Sequence, residues 1–350
     1  MTQSIRVGVI GCGAIAQEHF HALATVPQIR LVGVCDLSPA SARYAAERFG
    51  SDKHFADHRQ MLDESRCDVV HVLTHPNSHA SIVADVLSSG AHVVCEKPLT
   101  PTLAQTKDLL SLATTSGRIL IECQHLRFDP YVTKLHGFVA EGTLGELVTV
   151  EAVYSLPLSG GTFDDPHNNE AVMGFAAGPI QDFLPHLVYT ALGCLGDPPA
   201  IAVKSEWRNI SGNERLVFDE MSASVTFPTA TAFVRFSANS APPALRIRLT
   251  GSNGYAETDL FNPFVRLETA AGRSKLSPIL NQVRNGSHFA KSAATNLASK
   301  VTGRPGYAGL ALMLQSVYSN LNAGLPQVIG DRQILSCATV VDEIVNGAQR

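Results

Sequence analysis

Ile5-Arg6-Val7-Gly8-Val9-Ile10-Gly11-Cys12-Gly13-Ala14-Ile15-Ala16 is the stretch whose reading decides the fold. Its first half is a Val- and Ile-rich apolar run, the pattern of a buried strand. The run breaks into Gly11-x-Gly13-x-x-Ala16, and an amphipathic helical pattern follows to Leu23. In that strand–turn–helix setting the glycine motif predicts a dinucleotide site. Gly11 allows the tight turn, Gly13 lets a pyrophosphate approach the main chain, and Ala16 keeps helix and strand close. Cys12, Ala14 and Ile15 complete the turn expected to line the cofactor. A second strand, Arg30 to Cys35, ends at Asp36, about 20 residues past the glycines, where an acid binds a ribose hydroxyl pair.

The rest of the first third repeats this rhythm. Residues 39–49 read as a helix ended by Gly50, and Asp68 to Leu73 as a Val-rich strand before the turn Thr74-His75-Pro76-Asn77-Ser78. A helix from about His79 to Ser88 closes at Gly90. A strand from Ala91 to Cys95 then runs into Glu96-Lys97-Pro98. A helix over about 101–115 and a strand from Arg118 to Cys123 complete the pattern. Strands alternating with helices predict a parallel sheet with crossover helices. Beyond residue 124 alternating segments dominate, at 145–155, 201–207, 223–227, 231–237 and 245–251, with a hairpin at Gly251-Ser252-Asn253-Gly254. Helical patterns appear at about 180–194, 306–323 and 331–347. The expected fold class is therefore α/β. A doubly wound Rossmann domain over 1–123 precedes an α+β domain over 124–350 with a large, mostly antiparallel open sheet. The last helices are expected to pack back on the first domain. Residues 155–178, polar and Gly-rich, read as a long loop of the functional kind.

Bulk properties exclude several classes. At 350 residues, 45% hydrophobic and 17% charged, the chain holds enough apolar surface for a large core. A net charge of −4 argues against a nucleic-acid binder with a global basic face. The seven cysteines form no C-x-x-C pair, which fits reduced thiols in a cytoplasmic protein better than disulfides or a zinc site. No run of 18 apolar residues occurs, so no membrane span is expected. The N-terminus mimics a signal peptide, with Arg6, an apolar run and Ala14-Ile15-Ala16. Two glycines interrupt that run, and cleavage there would destroy the fingerprint that Asp36 completes.

Two constellations carry chemistry. Lys97 follows a strand at the carboxyl edge of a parallel sheet, where ligands bind in doubly wound folds, and Pro98 restrains it towards an extended conformation. Locally it reads equally as a lysine aimed at the cofactor's reactive ring or as a solvated lysine. Asp182 and His186 lie i, i+4 on a predicted helix and share one face. They read as a carboxylate–imidazole pair suited to take a hydroxyl proton, or as an inconsequential surface pair. Pro185 either kinks that helix or delays its start. Arg127 reads as packing or as a substrate contact. Asp164, Asp165 and His167, like His125 and His136, lack metal-ligand spacing, and no metal site is expected.

Together, Gly11 to Ala16, Asp36, Thr74-His-Pro-Asn-Ser-His79, Cys95-Glu-Lys-Pro98 and Asp182 with His186 resemble the glucose–fructose oxidoreductase/inositol dehydrogenase family of nicotinamide-dependent oxidoreductases. The resemblance is close in the N-terminal third and looser beyond, where Gly142-Thr-Leu-Gly145 also fits. It implies hydride transfer to or from a hydroxyl or keto carbon of a sugar, cyclitol or sugar derivative, with Lys97, Asp182 and His186 as the catalytic group. It implies a cofactor site made of the glycine turn, Asp36, Leu37, Thr74, His75, Pro76, Asn77, His79, Glu96 and Lys97. His79 is read as structural or near the cofactor. It also implies a homodimer or homotetramer formed through the C-terminal sheet, with neither nucleic acid nor membrane as partner. Ala176-Ala177-Gly178-Pro179 and Pro185 depart from the family pattern and bear on substrate choice. Two alternatives stand beside this one. One is a glycoside-cleaving member that retains its NAD; the other is a cofactor sensor without catalysis.

Residues 262–304 hold seven basic residues (Arg266, Arg273, Lys275, Arg284, Lys291, Lys300 and Arg304) against Glu268 alone, a local charge of +6. Their pattern, with scattered Gly, Asn and Ser, reads as a partly mobile surface that attracts an anionic or nucleotide-linked substrate, or as a solvated surface balanced elsewhere. Asp36 with Leu37 predicts NAD(H) in preference to NADP(H). The carboxylate repels a 2′-phosphate, and Leu37 brings no positive charge to offset it. Arg43 is the one nearby residue placed to compensate. Specificity constants measured for both cofactors check this; an NADP preference would refute the reading of Asp36.

Overall fold

A computed structural model describes residues 4–158, 174–270, 277–301 and 307–349. The chain divides into two compact units, Met1–His125 with Tyr307–Ala338 and Leu126–Gly306 with Thr339–Arg350.

In the first unit, β1 (Ile5–Ile10), β2 (Ile29–Cys35), β3 (His54–Phe55), β4 (Val69–Val72), β5 (His92–Cys95) and β6 (Leu120–Glu122) form one parallel sheet. Its order is β3-β2-β1-β4-β5-β6. The strand order reverses at β1 and β4, and ligands of doubly wound sheets bind beyond the carboxyl ends at such a point. The central strands are apolar on both faces because helices cover both. Val7, Val9, Val70, Val72, Val93 and Val94 have no exposed surface. His71, equally buried, is a polar residue on one of these central strands.

The crossover helices are α1 (Ala14–Leu23), α2 (Pro39–Phe49), α3 (His58–Ser65), α4 (Pro76–Ser88) and α5 (Leu103–Ser116). α2 shows local signals acting in concert. Ser38 caps its first turn by accepting from Ser41 N, Pro39 sits at the first helical position, and Gly50 ends it in the left-handed region. Two corrections to the sequence reading arise here. α4 starts at Pro76, three residues before His79, because His75 acts as its N-cap and Pro76 suits the first turn. The segment 54–65, not recognised from sequence, holds β3 and α3; α3 buries only Met61 and Leu62, too few to mark a periodicity.

After the second unit the chain supplies α9 (Ala308–Ala323) to the first, and α10 (Asp331–Asn346) follows. Leu310, Met313, Leu314, Val317 and Tyr318 form the buried stripe of α9, which packs beside α1. Gln315 Nε2 donates to Thr25 Oγ1 at 3.1 Å, just beyond the end of α1.

The second unit carries α6 (Pro130–Ala140), which the sequence reading missed, and α7 (Ile180–Leu195). Its sheet is built from β7 (Leu147–Ser155), β8 (Ala202–Arg208), β9 (Glu220–Thr226), β10 (Thr231–Ser237), β11 (Ala244–Gly251), β12 (Gly254–Asp259) and β13 (Arg266–Thr269). These lie in the order β13-β12-β11-β7-β10-β9-β8. Every pairing is antiparallel except β7 with β10, whose long intervening segment permits a parallel crossover. Alternation fixes which face is covered. Ala232, Val234 and Phe236 are buried, whereas Phe233 and Arg235 point to solvent. α7 covers the apolar face, with Phe183 stacked on Phe236 at 5.2 Å and edge-on to Tyr154 at 5.3 Å. α7 is helical from Ile180 through Pro185, which lies inside it.

α8 (Ser277–Val301) and β13 replace the irregular surface expected for the basic segment. This helix turns its asparagines inward to edge strand β13. Asn285 Oδ1 accepts from Leu267 N at 3.3 Å, Arg284 Nη2 donates to Leu267 O at 2.9 Å, and Asn281 Nδ2 donates to Thr269 O at 3.4 Å. Polar side chains here satisfy an edge strand's main chain, so the apolar Leu280, Val283 and Leu297 lie on the exposed side of the helix. In this unit Leu187, on the sheet-facing side of α7, is fully buried. Leu187→Ala is expected to destabilise the second unit by about 2–5 kcal/mol, read as a lower midpoint of urea denaturation.

Candidate functional site

The glycine turn is fixed by sterics. Gly11 has φ +95°, and a Cβ there would lie 2.7 Å from the carbonyl carbon and oxygen of Leu73 and 2.9 Å from Thr74 N. No side chain fits, since the turn after β1 lies directly against the end of β4. Gly13 differs. A Cβ there would meet nothing within 4 Å, and as N-cap of α1 it provides no side-chain cap. Open space in front of uncapped helix amides fits a pyrophosphate. Asp36 closes this cradle: Oδ2 accepts from Cys12 N at 2.8 Å and Oδ1 from Ser38 N at 2.8 Å. Leu37 beside it is exposed. Burial, with Asp36 and Cys35 nearby, pushes the Cys12 thiol up to about 12, so it stays neutral beside the phosphate position.

The second turn follows β4. Ser78 Oγ lies 2.8 Å from Thr74 Oγ1, tying the start of α4 to the strand end. His79 is buried between two carbonyls, with Nδ1 3.0 Å from Pro98 O and Nε2 2.9 Å from Thr74 O. Burial lowers its pKa despite those carbonyls, so it is neutral, and only one of the two nitrogens donates. His79 therefore joins the Thr74 turn to the segment after β5.

That segment carries Lys97, and three buried groups hold its main chain. Glu96 Oε2 accepts from Lys97 N at 3.1 Å, Glu122 Oε1 accepts from Leu99 N at 2.9 Å, and His79 meets Pro98 O. Glu96 Oε1 in turn pairs with His19 Nε2 at 2.9 Å. Glu122 and His19 were not recognised from sequence. Each sits in an ordinary strand or helix pattern, and only the fold brings it to this loop.

In the second unit, every residue from Ile180 to Leu192 is buried except Asp182 and His186. These two are the face that α7 presents outward. His186 Nδ1 lies 2.7 Å from Tyr189 Oη, a fully buried partner absent from the sequence reading although its i+3 spacing was visible. Arg127 is committed within the same unit, its guanidinium bonded to Asp197 at 2.9 and 2.6 Å with both side chains nearly buried. Of the basic segment, Arg266 pairs with Glu257 and Glu268, and Arg284 serves the main chain of β13. Lys291 is exposed. Arg273, Lys275, Arg304 and the Lys300 side chain lie outside the described residues, as do Asp164, Asp165 and His167.

Residues 5–123 match the family model described as an oxidoreductase family with an NAD-binding Rossmann fold. Residues 132–257 match the GFO/IDH/MocA C-terminal domain. The chain belongs to this oxidoreductase family. Among curated relatives it is 33% identical over 210 residues to D-glucoside 3-dehydrogenase of Escherichia coli K12, covering 59% of this chain and 57% of that protein. It is 26% identical over 221 residues to levoglucosan dehydrogenase of Pseudarthrobacter phenanthrenivorans, covering 59% and 55%. The match thus spans a little over half the length of each relative. The same fold recurs in the WlbA dehydrogenase of Bordetella pertussis, solved with NADH and UDP-GlcNAcA. The TM-score there is 0.79 at 18% identity, over 100% of this chain and 96% of that one.

Because Gly13 meets open space, Gly13→Val is expected to leave thermal unfolding of the apoprotein near that of the parent. NADH affinity, read by fluorescence titration, should fall by about tenfold or more, equivalent to roughly 1.4 kcal/mol.

Proposed function

We propose that this protein is an NAD(H)-dependent oxidoreductase that moves a hydride to or from a hydroxyl or keto carbon of a sugar, cyclitol or sugar derivative. The observation that carries the reading is the convergence on one sheet edge. The carboxyl ends of β1, β4 and β5 bring the glycine turn, the Thr74 turn and Lys97 side by side. The names of the curated relatives support a sugar hydroxyl as the reacting group.

Bound NAD supplies the hydride acceptor for an alcohol, and NADH the donor for a ketone. The chain's own residues manage the proton and the charge. His186 takes the hydroxyl proton as the carbon is oxidised and returns it in reduction. With Nδ1–H donating to Tyr189 Oη, the imidazole is held in the tautomer whose Nε2 lone pair acts as base. Asp182, one turn earlier, favours the imidazolium that results. Lys97 stabilises negative charge on the substrate oxygen as the proton leaves, and its anchored main chain spares the reorganisation that a mobile lysine requires.

The open face of the second unit's sheet, with Glu151, Lys204, Arg235 and the exposed Phe233, suits self-association as a dimer or tetramer. Among the described residues no helix is long and apolar enough to cross a membrane. The seven free thiols suit a reducing cytoplasm.

His186→Asn should lower kcat by about 10²-fold or more while NADH binding persists. A His186→Asn protein with near-parental turnover would remove the assignment. The measurement is NAD reduction across a panel of cyclitols, aldoses, uronates, glycosides and nucleotide sugars.

A further inference from the structure

Beneath the Lys97 segment lies a row of polar side chains that the reaction does not touch. Tyr318 Oη on α9 is 2.9 Å from His71 Nε2 on β4. His71 Nδ1 is 3.0 Å from His19 Nδ1 on α1, and His19 Nε2 is 2.9 Å from Glu96 Oε1 at the end of β5. His19 and His71 have no exposed surface, Tyr318 has 1% and Glu96 has 6%.

We propose that this Tyr318–His71–His19–Glu96 row is a positioning device for Lys97, holding the Glu96 carboxylate in the orientation that fixes the Lys97 main chain. The inference rests on the assignment of Lys97 to the reaction.

Three arguments support it. The row is complete in one polarity with neutral rings. Tyr318 O–H donates to His71 Nε2, His71 Nδ1–H to His19 Nδ1, and His19 Nε2–H to Glu96, whose other oxygen accepts from Lys97 N. Each donor has an acceptor, so the network rigidifies without leaving an unsatisfied group. Packing alone does not account for it, since apolar side chains of similar size fill a core at least as well as buried polar groups do. Finally, the row ends on the carboxylate that carries the Lys97 N–H.

The electrostatics agree with the geometry. Burial alone would raise the Glu96 pKa, but the hydrogen bond that His19 Nε2–H donates, the largest opposing cause, leaves it well below the usual carboxylate value. Other titratable groups around Glu96 are inert through the neutral range. His71 is pushed well down by burial and by His19, His125 down to about 4, and His79 down. Cys95 and Cys123 are pushed well up by burial, and Tyr307, before α9, is raised. Glu122 is engaged by Leu99 N and Gln124 Nε2.

His19, Glu96 and Cys123 also present three ligand atoms within 4.8 Å of one another, the arrangement a metal ion would use. The 2.9 Å His19–Glu96 separation is that of a direct hydrogen bond, and the positioning reading takes it so.

His19→Leu removes the donor to Glu96 and leaves burial to raise the carboxylate's pKa. The expected result is NADH affinity close to the parent's with kcat at pH 7 lower by about tenfold. The acidic limb of the kcat–pH profile should move up by about one unit or more, with activity recovering in alkali. His19→Gln, whose amide also donates, should restore the parental profile. A pH-independent loss in His19→Leu, or an unmoved limb, overturns the proposal. Should His19→Leu fail to fold, Tyr318→Phe removes only a hydroxyl at the far end of the row and must move the limb in the same direction; an unmoved limb there overturns it equally. Stoichiometric zinc in the purified protein by elemental analysis would also overturn it. Lys97→Ala separates the two layers. An active Lys97→Ala enzyme removes the underlying assignment, whereas an inactive one with an unmoved His19→Leu limb removes only the positioning role.

Discussion

The first unit depends on how closely the turn after β1 approaches the end of β4. At Gly11 there is no room for a Cβ, because the Leu73 carbonyl and Thr74 N occupy that volume. The contact sets the spacing of the two central strands at their carboxyl ends. It brings the glycine turn and the Thr74 turn together and lets the Asp36 carboxylate reach Cys12 N across from β2. A side chain at Gly11 would push the turn away from β4 and open the cradle.

A second constraint acts one strand further on. The segment after β5 is short and carries a charged side chain at the sheet edge, and its main chain is held by buried groups. Glu96 lies in the segment itself, Glu122 in β6 and His79 in α4, and they hold Lys97, Leu99 and Pro98 respectively. Burying two carboxylates is costly, and each is stabilised by at least two hydrogen bonds. The second unit follows a different economy. There the helix α7 spends nearly every position on the core and leaves Asp182 and His186 as its polar face, with the Tyr189 hydroxyl beneath His186.

α8 shows why some of the chain was illegible. Its sequence contains Asn281, Asn285, Gly286, Ser287 and Asn296, which read as irregular because asparagine and glycine favour turns. The structure makes it a helix by turning Asn281 and Asn285 towards edge strand β13 and Asn296 towards Pro263 O, and leaving Leu280, Val283 and Leu297 outward. Periodicity rules assume that apolar residues mark the buried face, and here the buried face is polar. The basic residues around it read as a charged surface, yet Arg266 and Arg284 are engaged by the sheet.

By itself the sequence determined the parallel sheet, the glycine turn with Asp36, the position of Lys97 at a strand end, and the Asp182–His186 pair on a helix. These are local matters: strand and helix periods, turn residues and i, i+4 spacing follow from the chain within a dozen residues. Tertiary structure alone decided which buried polar groups meet. His19, His71, Glu96, Glu122 and Tyr318 have hydrogen-bond partners up to 247 residues away, and nothing local distinguishes His71 in its Val-rich strand from a neighbour exposed to water. Hydrogen-bond partners of that kind are fixed by the order of strands and by where α9 returns, and no residue's neighbours in sequence encode that order.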